Sequence, residues 1–159
     1  MANPFEQGAR PLQATPTSIL FACNLNTIRS PMAEALAKHL CGRSFYVESV
    51  GVRRGDEPDA FAVAVMDEIG LDISRHRPKS FDELEDVSFD LIISLTPEAH
   101  HRALEWARTM ACDVEYWPTI DPTAVQGNRE TMLESYRQVR DGLMQAIMKR
   151  FEVAPPAAL

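Results

Sequence analysis

The chain has 159 residues, 45% hydrophobic and 25% charged, which reads as one soluble globular domain with enough apolar side chains for a single core. Its formal net charge of −7 excludes a nucleic-acid surface, which needs a basic face to release counterions, but not an anionic substrate in a locally positive pocket. Three cysteines without a Cys-x-x-Cys pair predict reduced thiols in the cytoplasm rather than a disulfide framework or a zinc ribbon, and no apolar run reaches the ~20 residues of a membrane span.

Residues 1–16 carry Pro4, Pro11 and Pro16 and lack the apolar region of a signal peptide, so they are expected to form a flexible arm. Residues 152–159 read as a short tail, leaving 17–151 as the folded domain. Ser18 to Ala22 is a short apolar run that suits a buried strand. A polar loop from Cys23 to Ser30 follows, and Met32, Ala35, Leu36 and Leu40 then recur at helical spacing, with Pro31 in the first turn and Gly42 as the stop. Phe45 to Val50 reads as a second strand. Pro58 is expected to open a helix with Phe61, Val65 and Ile69 on one face and Gly70 at its end. Ser80 to Glu83 has the spacing of a capping box. Leu91 to Leu95 is a third buried strand. Thr96-Pro97 caps a helix running to about Met110, and Val114 to Trp117 is a fourth, shorter strand. After a loop holding Asp121-Pro122, the last helix carries Met132, Tyr136, Val139, Leu143, Ile147 and Phe151 on one apolar face.

Strand and helix thus alternate, which predicts an α/β fold: one domain, a four-stranded parallel sheet and helices on both faces, flavodoxin-like. Ligands of such folds sit beyond the carboxyl ends of the strands. Both the Cys23 loop and the Asp121 loop fall at that end.

The first loop carries the chemistry. Cys23-Asn24-Leu25-Asn26-Thr27-Ile28-Arg29-Ser30 follows a strand and opens a helix, with the form C-x5-R-S. A loop that turns its N–H groups inward, joined to the free amides and partial positive charge of a helix start, is an anion cradle. Residues 24–30 would line it, and Arg29 supplies a planar fork for two oxygens of a phosphoryl group. The same field favours the thiolate of Cys23, and the Ser30 hydroxyl can donate to that sulfur. A thiolate facing a bound phosphoryl group is an activated nucleophile. A lone cysteine at a strand end is more often a small buried hydrophobe; it is the spacing to Arg29 and the strand–loop–helix context that give Cys23 a chemical reading.

The segment LFACNLNTIRSPMAEAL resembles the active-site loop of the low-molecular-weight protein tyrosine phosphatase family, which includes thiol-linked arsenate reductases. The likeness covers roughly residues 17–151. Ser49-Val50-Gly51 resembles the family's Ser-Ala-Gly after the second strand, the segment Leu71 to Arg77 its Asp-Ile-Ser-x-His stretch, and Asp121-Pro122 its general-acid loop. The resemblance implies a phosphatase that hydrolyses phosphomonoesters, protein phosphotyrosine foremost, through a phosphocysteine on Cys23. Asp121 would protonate the leaving oxygen and then activate water. Asn26, Ser30, Ser49 and His76 would support the loop, with His76 bonding Asn26 from behind. The partners implied are a phosphorylated protein or small phosphomonoester, and inorganic phosphate or another oxyanion in the loop, with no cofactor, metal, nucleic acid or membrane.

Two positions depart from the family's loop. Leu25 stands where a glycine is common, so a strained positive φ and a differently opened loop are expected there. Ile28 stands where a second cysteine is common and removes a thiol that could protect Cys23. After Pro122 come Thr123 and Ala124 in place of aromatic residues, so a wall for a substrate ring must come from elsewhere, with Trp117 and residues 52–56 as candidates. Arg53 and Arg54 are placed at the rim, where they could attract an acidic partner. His100-His101 would suggest a metal, but adjacent helical residues face different ways. Two rival readings stay open. One is arsenate reduction by a single cysteine with a small thiol, since Thr96, Pro97 and Glu98 stand where cascade reductases carry cysteines. The other is a module that binds phosphate without turnover.

Overall fold

Every residue of β1 (Ser18–Cys23) is buried, because it runs through the middle of the sheet with side chains packed above and below. The computed structural model describes residues 16–85 and 88–154, the side chain of Arg43 excepted. The expected arm before Pro16 and the tail beyond Ala154 lie outside the described residues. Beside β1 run β2 (Tyr46–Gly51), β3 (Leu91–Ser94) and β4 (Asp113–Tyr116), all parallel, in the order β2-β1-β3-β4. The crossovers are α1 (Arg29–Cys41), α2 (Ala60–Asp67) and α3 (Pro97–Ala107), and α4 (Arg129–Phe151) closes the domain. The α/β fold predicted from the alternation is present.

Alternation along β1 sorts the core into two layers. Ile19, Phe21 and Cys23 pack with Met32 and Leu36 of α1, Val65 of α2 and Leu143 and Ile147 of α4. Leu20 and Ala22 face the other way, onto Ile92, Phe81, Phe89 and Ala99 and Ala103 of α3. Burying each large side chain contributes about 1.5–3 kcal/mol. Within α4, Leu133, Tyr136, Val139, Leu143 and Ile147 carry the buried stripe, and Arg140 is buried with them because its guanidinium donates to the Val65 carbonyl at 2.8 Å and to Glu68 at 2.9 Å.

Some boundaries move. The second helix starts at Ala60 rather than Pro58, because the Asp59 carboxylate accepts the free amides of Phe61 (2.8 Å) and Ala62 (3.1 Å). The third ends at Ala107 rather than near Met110. Strand β4 is Asp113–Tyr116, one residue earlier than predicted, so Trp117 leaves the sheet and sets its ring edge-on to Phe21 at 6.2 Å. Gly42 (φ 60°) and Gly70 (φ 80°), the expected helix stops, follow α1 and α2 with positive φ, which glycine adopts without strain. Among the described residues no helix is long and apolar enough to cross a membrane.

Candidate active site

Cys23 ends β1 and Gly51 ends β2 opposite it in register. From there the two chains run on together. The Cys23 carbonyl accepts from Val52 N, Asn24 from Arg53 N, Leu25 from Gly55 N and Thr27 from Asp59 N, at 2.9 to 3.0 Å. Four of the loop's carbonyls are thus spent on residues 52–59. Among the described residues the amides of Asn24 to Ser30 donate to no protein acceptor, which leaves them available to an anion. Gly51 allows this close approach: a Cβ there would lie 2.4 Å from the Arg53 carbonyl oxygen and 2.7 Å from the Leu25 carbonyl carbon.

The cradle opens into a cleft of about 150 Å³ lined by Cys23, Asn24, Leu25, Thr27, Ile28, Arg29, Arg53, Asp121 and Thr123. Cys23 is 3% exposed and lines this cleft. Arg29, in the first turn of α1, donates from Nη1 to the Thr119 carbonyl at 2.9 Å, which ties the cradle to the loop that carries Asp121. Asp121 accepts from the Thr123 amide (2.9 Å) and hydroxyl (2.7 Å) through the same oxygen. Partial burial pushes its carboxyl up, but the two Thr123 donors and the Arg29 guanidinium outweigh that and hold it below the usual carboxylate range. A phosphoryl dianion in the cradle would act in the opposite sense.

Behind the loop lies a chain of buried polar groups. Asn26 and Ser30 are fully buried, as is Ser49. Asn26 Nδ2 donates to Ser30 Oγ (2.8 Å) and to Ser49 Oγ (2.9 Å). Asn26 Oδ1 accepts from His76 Nε2 (2.8 Å) and from the Lys79 amide (3.0 Å). Because that oxygen can only accept, the His76 proton sits on Nε2. Burial lowers the His76 pKa, which keeps the ring neutral. Ser49 in turn donates to Glu34 Oε1 at 2.7 Å, and Glu34 is held by Lys38 at 2.7 Å. Asn26, Ser30, Ser49 and His76 are thus assembled where the sequence placed them.

Three expectations need correction. The left-handed residue of the loop is Asn26 (φ 60°) and not Leu25; asparagine tolerates that region far better than leucine, so the departure from glycine at 25 costs no backbone strain. Trp117 forms no wall of the cleft, because its ring is spent on Phe21 and its Nε1 on Glu115 (3.2 Å). Arg53 lines the cleft, but Arg54 turns away to Glu83 at 3.2 Å. The two adjacent histidines do diverge: His100 bonds Ser94 Oγ at 2.8 Å and stacks on Tyr116, while His101 pairs with Glu105.

Several supporting residues escaped the sequence reading. Thr96 was legible as a helix cap, and it does accept from the Ala99 amide (3.0 Å), but its hydroxyl also donates to Asn24 Oδ1 at 2.7 Å. Glu34, Thr119 and Thr123 gave no signal; each matters only because the fold sets it beside Ser49, Arg29 or Asp121.

A four-stranded parallel sheet whose first strand delivers a cysteine into a ring of amides, with an arginine fork at the helix start, defines a class: cysteine-dependent enzymes of phosphoryl and arsenate chemistry. The family model described as low molecular weight phosphotyrosine protein phosphatase matches residues 18–153, and the chain belongs to that family. Among its curated relatives is an arsenate reductase of Bacillus subtilis (strain 168), 32% identical over 124 residues that cover 77% of this chain and 86% of that protein. Among solved structures, a low molecular weight protein tyrosine phosphatase from T. tengcongensis is similar at 27% identity and a TM-score of 0.71, covering 86% of this chain and 98% of that one. An arsenate reductase in the phosphate-binding state is similar at 26% identity and a TM-score of 0.67, covering 86% and 97%.

Proposed function

We infer that the protein is a phosphatase that hydrolyses phosphomonoesters, phosphotyrosine in proteins first among them, in two displacements at phosphorus. The Cys23 thiolate attacks the phosphorus atom held by the loop amides and the Arg29 fork. The phosphorus–oxygen bond breaks as Asp121 gives its proton to the leaving oxygen, and a phosphocysteine remains. Asp121, now a carboxylate, takes a proton from water; the hydroxide formed displaces sulfur and inorganic phosphate leaves. Amides aimed at the equatorial oxygens stabilise charge without reorganising, and the acid contributes about 10²–10⁴-fold.

One observation carries this reading: Asp121 lines the same small cleft as Cys23 and Arg29, with Thr123 as the hydrogen-bond partner of its carboxylate. Supporting it, neither remaining thiol reaches the cleft. Cys41 is buried at the end of α1, and Cys112 precedes β4 at the opposite end of the sheet. A relay that passes a disulfide along its own chain would need a second sulfur beside Cys23. No disulfide joins any of the three cysteines.

The name of the Bacillus subtilis relative favours a second reading, arsenate reduction in which external thiols supply both electrons. Phosphate release from p-nitrophenyl phosphate, measured beside arsenite production with glutathione or a glutaredoxin, decides between them. Phosphate release that disappears in Cys23→Ser is expected. Arsenite without phosphate release would replace the first reading by the second, and phosphate binding with no burst of product would mark a module without turnover.

A further inference from the structure

The two arginines after Val52 are adjacent in sequence and opposite in fate. Arg54 is neutralised by Glu83. Arg53 is exposed, lines the cleft above Cys23, and makes no ion pair among the described residues. Its backbone is fixed relative to the nucleophile, because its amide donates to the Asn24 carbonyl at 2.9 Å, one residue beyond Cys23. The side chain therefore starts from a rigid point at the rim of the cradle. Asp121 lines the same cleft and accepts from Thr123, and among the described residues no ion pair joins it to Arg53. Leu25, 41% exposed, lines the cleft as well. The cleft thus has an aliphatic side chain and, among the described residues, an arginine without an ion pair in its lining, in a protein whose overall charge is −7. A lone cation at the mouth of an acidic protein selects what carries a second anionic group close to the phosphoryl group.

We propose that Arg53 is a specificity-determining residue that binds a carboxylate of the substrate, and that the preferred substrates are phosphorylated side chains flanked in sequence by aspartate or glutamate. This rests on the phosphoryl-binding role of the Cys23 loop and extends it from the phosphoryl group to its neighbours. Leu25 packs on the stem of the phosphorylated side chain while the guanidinium takes the flanking carboxylate. For an exposed pair of this kind the preference is about fivefold and shrinks as salt screens it.

Binding tests this separately from turnover. Two phosphotyrosyl peptides, one with glutamate on both sides of the phosphotyrosine and one with alanine, are titrated calorimetrically into the Cys23→Ser protein in low salt and in 0.5 M (order-of-magnitude high) salt, where the Debye length falls to about 4 Å. The acidic peptide is expected to bind about fivefold more tightly in low salt. Adding Arg53→Gln should make the two affinities equal, and adding Arg54→Gln should leave the preference in place. Equal affinities with Arg53 present, a preference that survives Arg53→Gln, or binding of neither peptide would overturn the proposal. Absence of phosphate release by the wild type, with the acidic preference intact, would defeat the phosphatase reading and not this one.

Discussion

Ser30 Oγ lies 2.8 Å from Cys23 Sγ and 3.2 Å from the Val50 carbonyl oxygen, while accepting from Asn26 Nδ2 at 2.8 Å. A hydroxyl has one proton to give. With a neutral thiol the sulfur can donate to Ser30 and Ser30 to Val50; with a thiolate the Ser30 proton must turn to sulfur. Ser30 can therefore donate to the sulfur only by releasing the Val50 carbonyl. Ser30→Ala removes that donor and strands Asn26 Nδ2, at a cost of about 1–3 kcal/mol. Slower alkylation of Cys23 by iodoacetamide near neutral pH is expected, together with a lower kcat and a fold stability lowered by that amount in urea titration. Alkylation as fast as in the wild type would show that Ser30 does not favour the thiolate.

Arg29 divides its guanidinium between Thr119, which it holds at 2.9 Å, and the open cradle. A lysine keeps the charge but cannot hold the carbonyl and two oxygens of an oxyanion at once. Arg29→Lys should lower kcat/KM about 100-fold and weaken inhibition by inorganic phosphate. Wild-type phosphate affinity in this variant would remove Arg29 from the cradle.

The two donors of Thr123 hold the Asp121 carboxyl low, and an acid works only when protonated. Thr123→Val removes the hydroxyl donor and keeps the amide, so the Asp121 pKa rises. A higher pKa means more protonated Asp121 at a given pH. The alkaline limb of kcat/KM for phosphotyrosine should therefore move to higher pH, while Asp121→Asn should flatten that limb and lower kcat about 10²–10⁴-fold, least for a good leaving group such as p-nitrophenol. An unmoved limb in Thr123→Val would assign it to another group.

Burial holds the His76 pKa below its ordinary 6.5; the Glu34 carboxylate opposes this, and Lys79 and Lys38 reinforce it. The unfolded chain then binds the proton more readily than the folded one. By linkage, stability is unaffected well above pH 6.5 and falls as pH drops below that value. Urea titrations between about pH 7.5 and pH 5.5 should show a steeper loss in the wild type than in His76→Gln, which can still donate to Asn26. Equal slopes would mean that the ring is not held neutral.

Gly51 faces the backbone of Leu25, Asn24 and Arg53 with no room for a methyl group. Gly51→Ala must push backbone rather than a flexible side chain, so it should destabilise the protein by about 1–3 kcal/mol and weaken phosphate binding. Unchanged phosphate affinity would separate the β2 loop from the cradle.

Strands, helices and cradle were legible because each rests on local order: apolar runs of strand length, apolar residues at helical spacing, and a cysteine and arginine bracketing a loop between strand and helix. Asp121 was legible only through the resemblance, since Asp-Pro by itself reads as a turn. The left-handed position was misassigned to Leu25 because a one-dimensional pattern shows where a glycine is missing, not which neighbour takes the turn.

Residue order by itself determined the sheet, the faces of the helices and the place of Cys23 at the end of the first strand, since periodicity and spacing are properties of neighbouring residues. Tertiary structure alone decided that Glu34 reaches Ser49, that Thr119 holds Arg29, that Thr123 biases Asp121, that Trp117 serves the core, and that Arg53 rather than Arg54 stands free at the mouth. Those relations join residues from separate strands and loops, and hydrogen bonds and charges act over a few ångströms of space, whatever the distance along the chain.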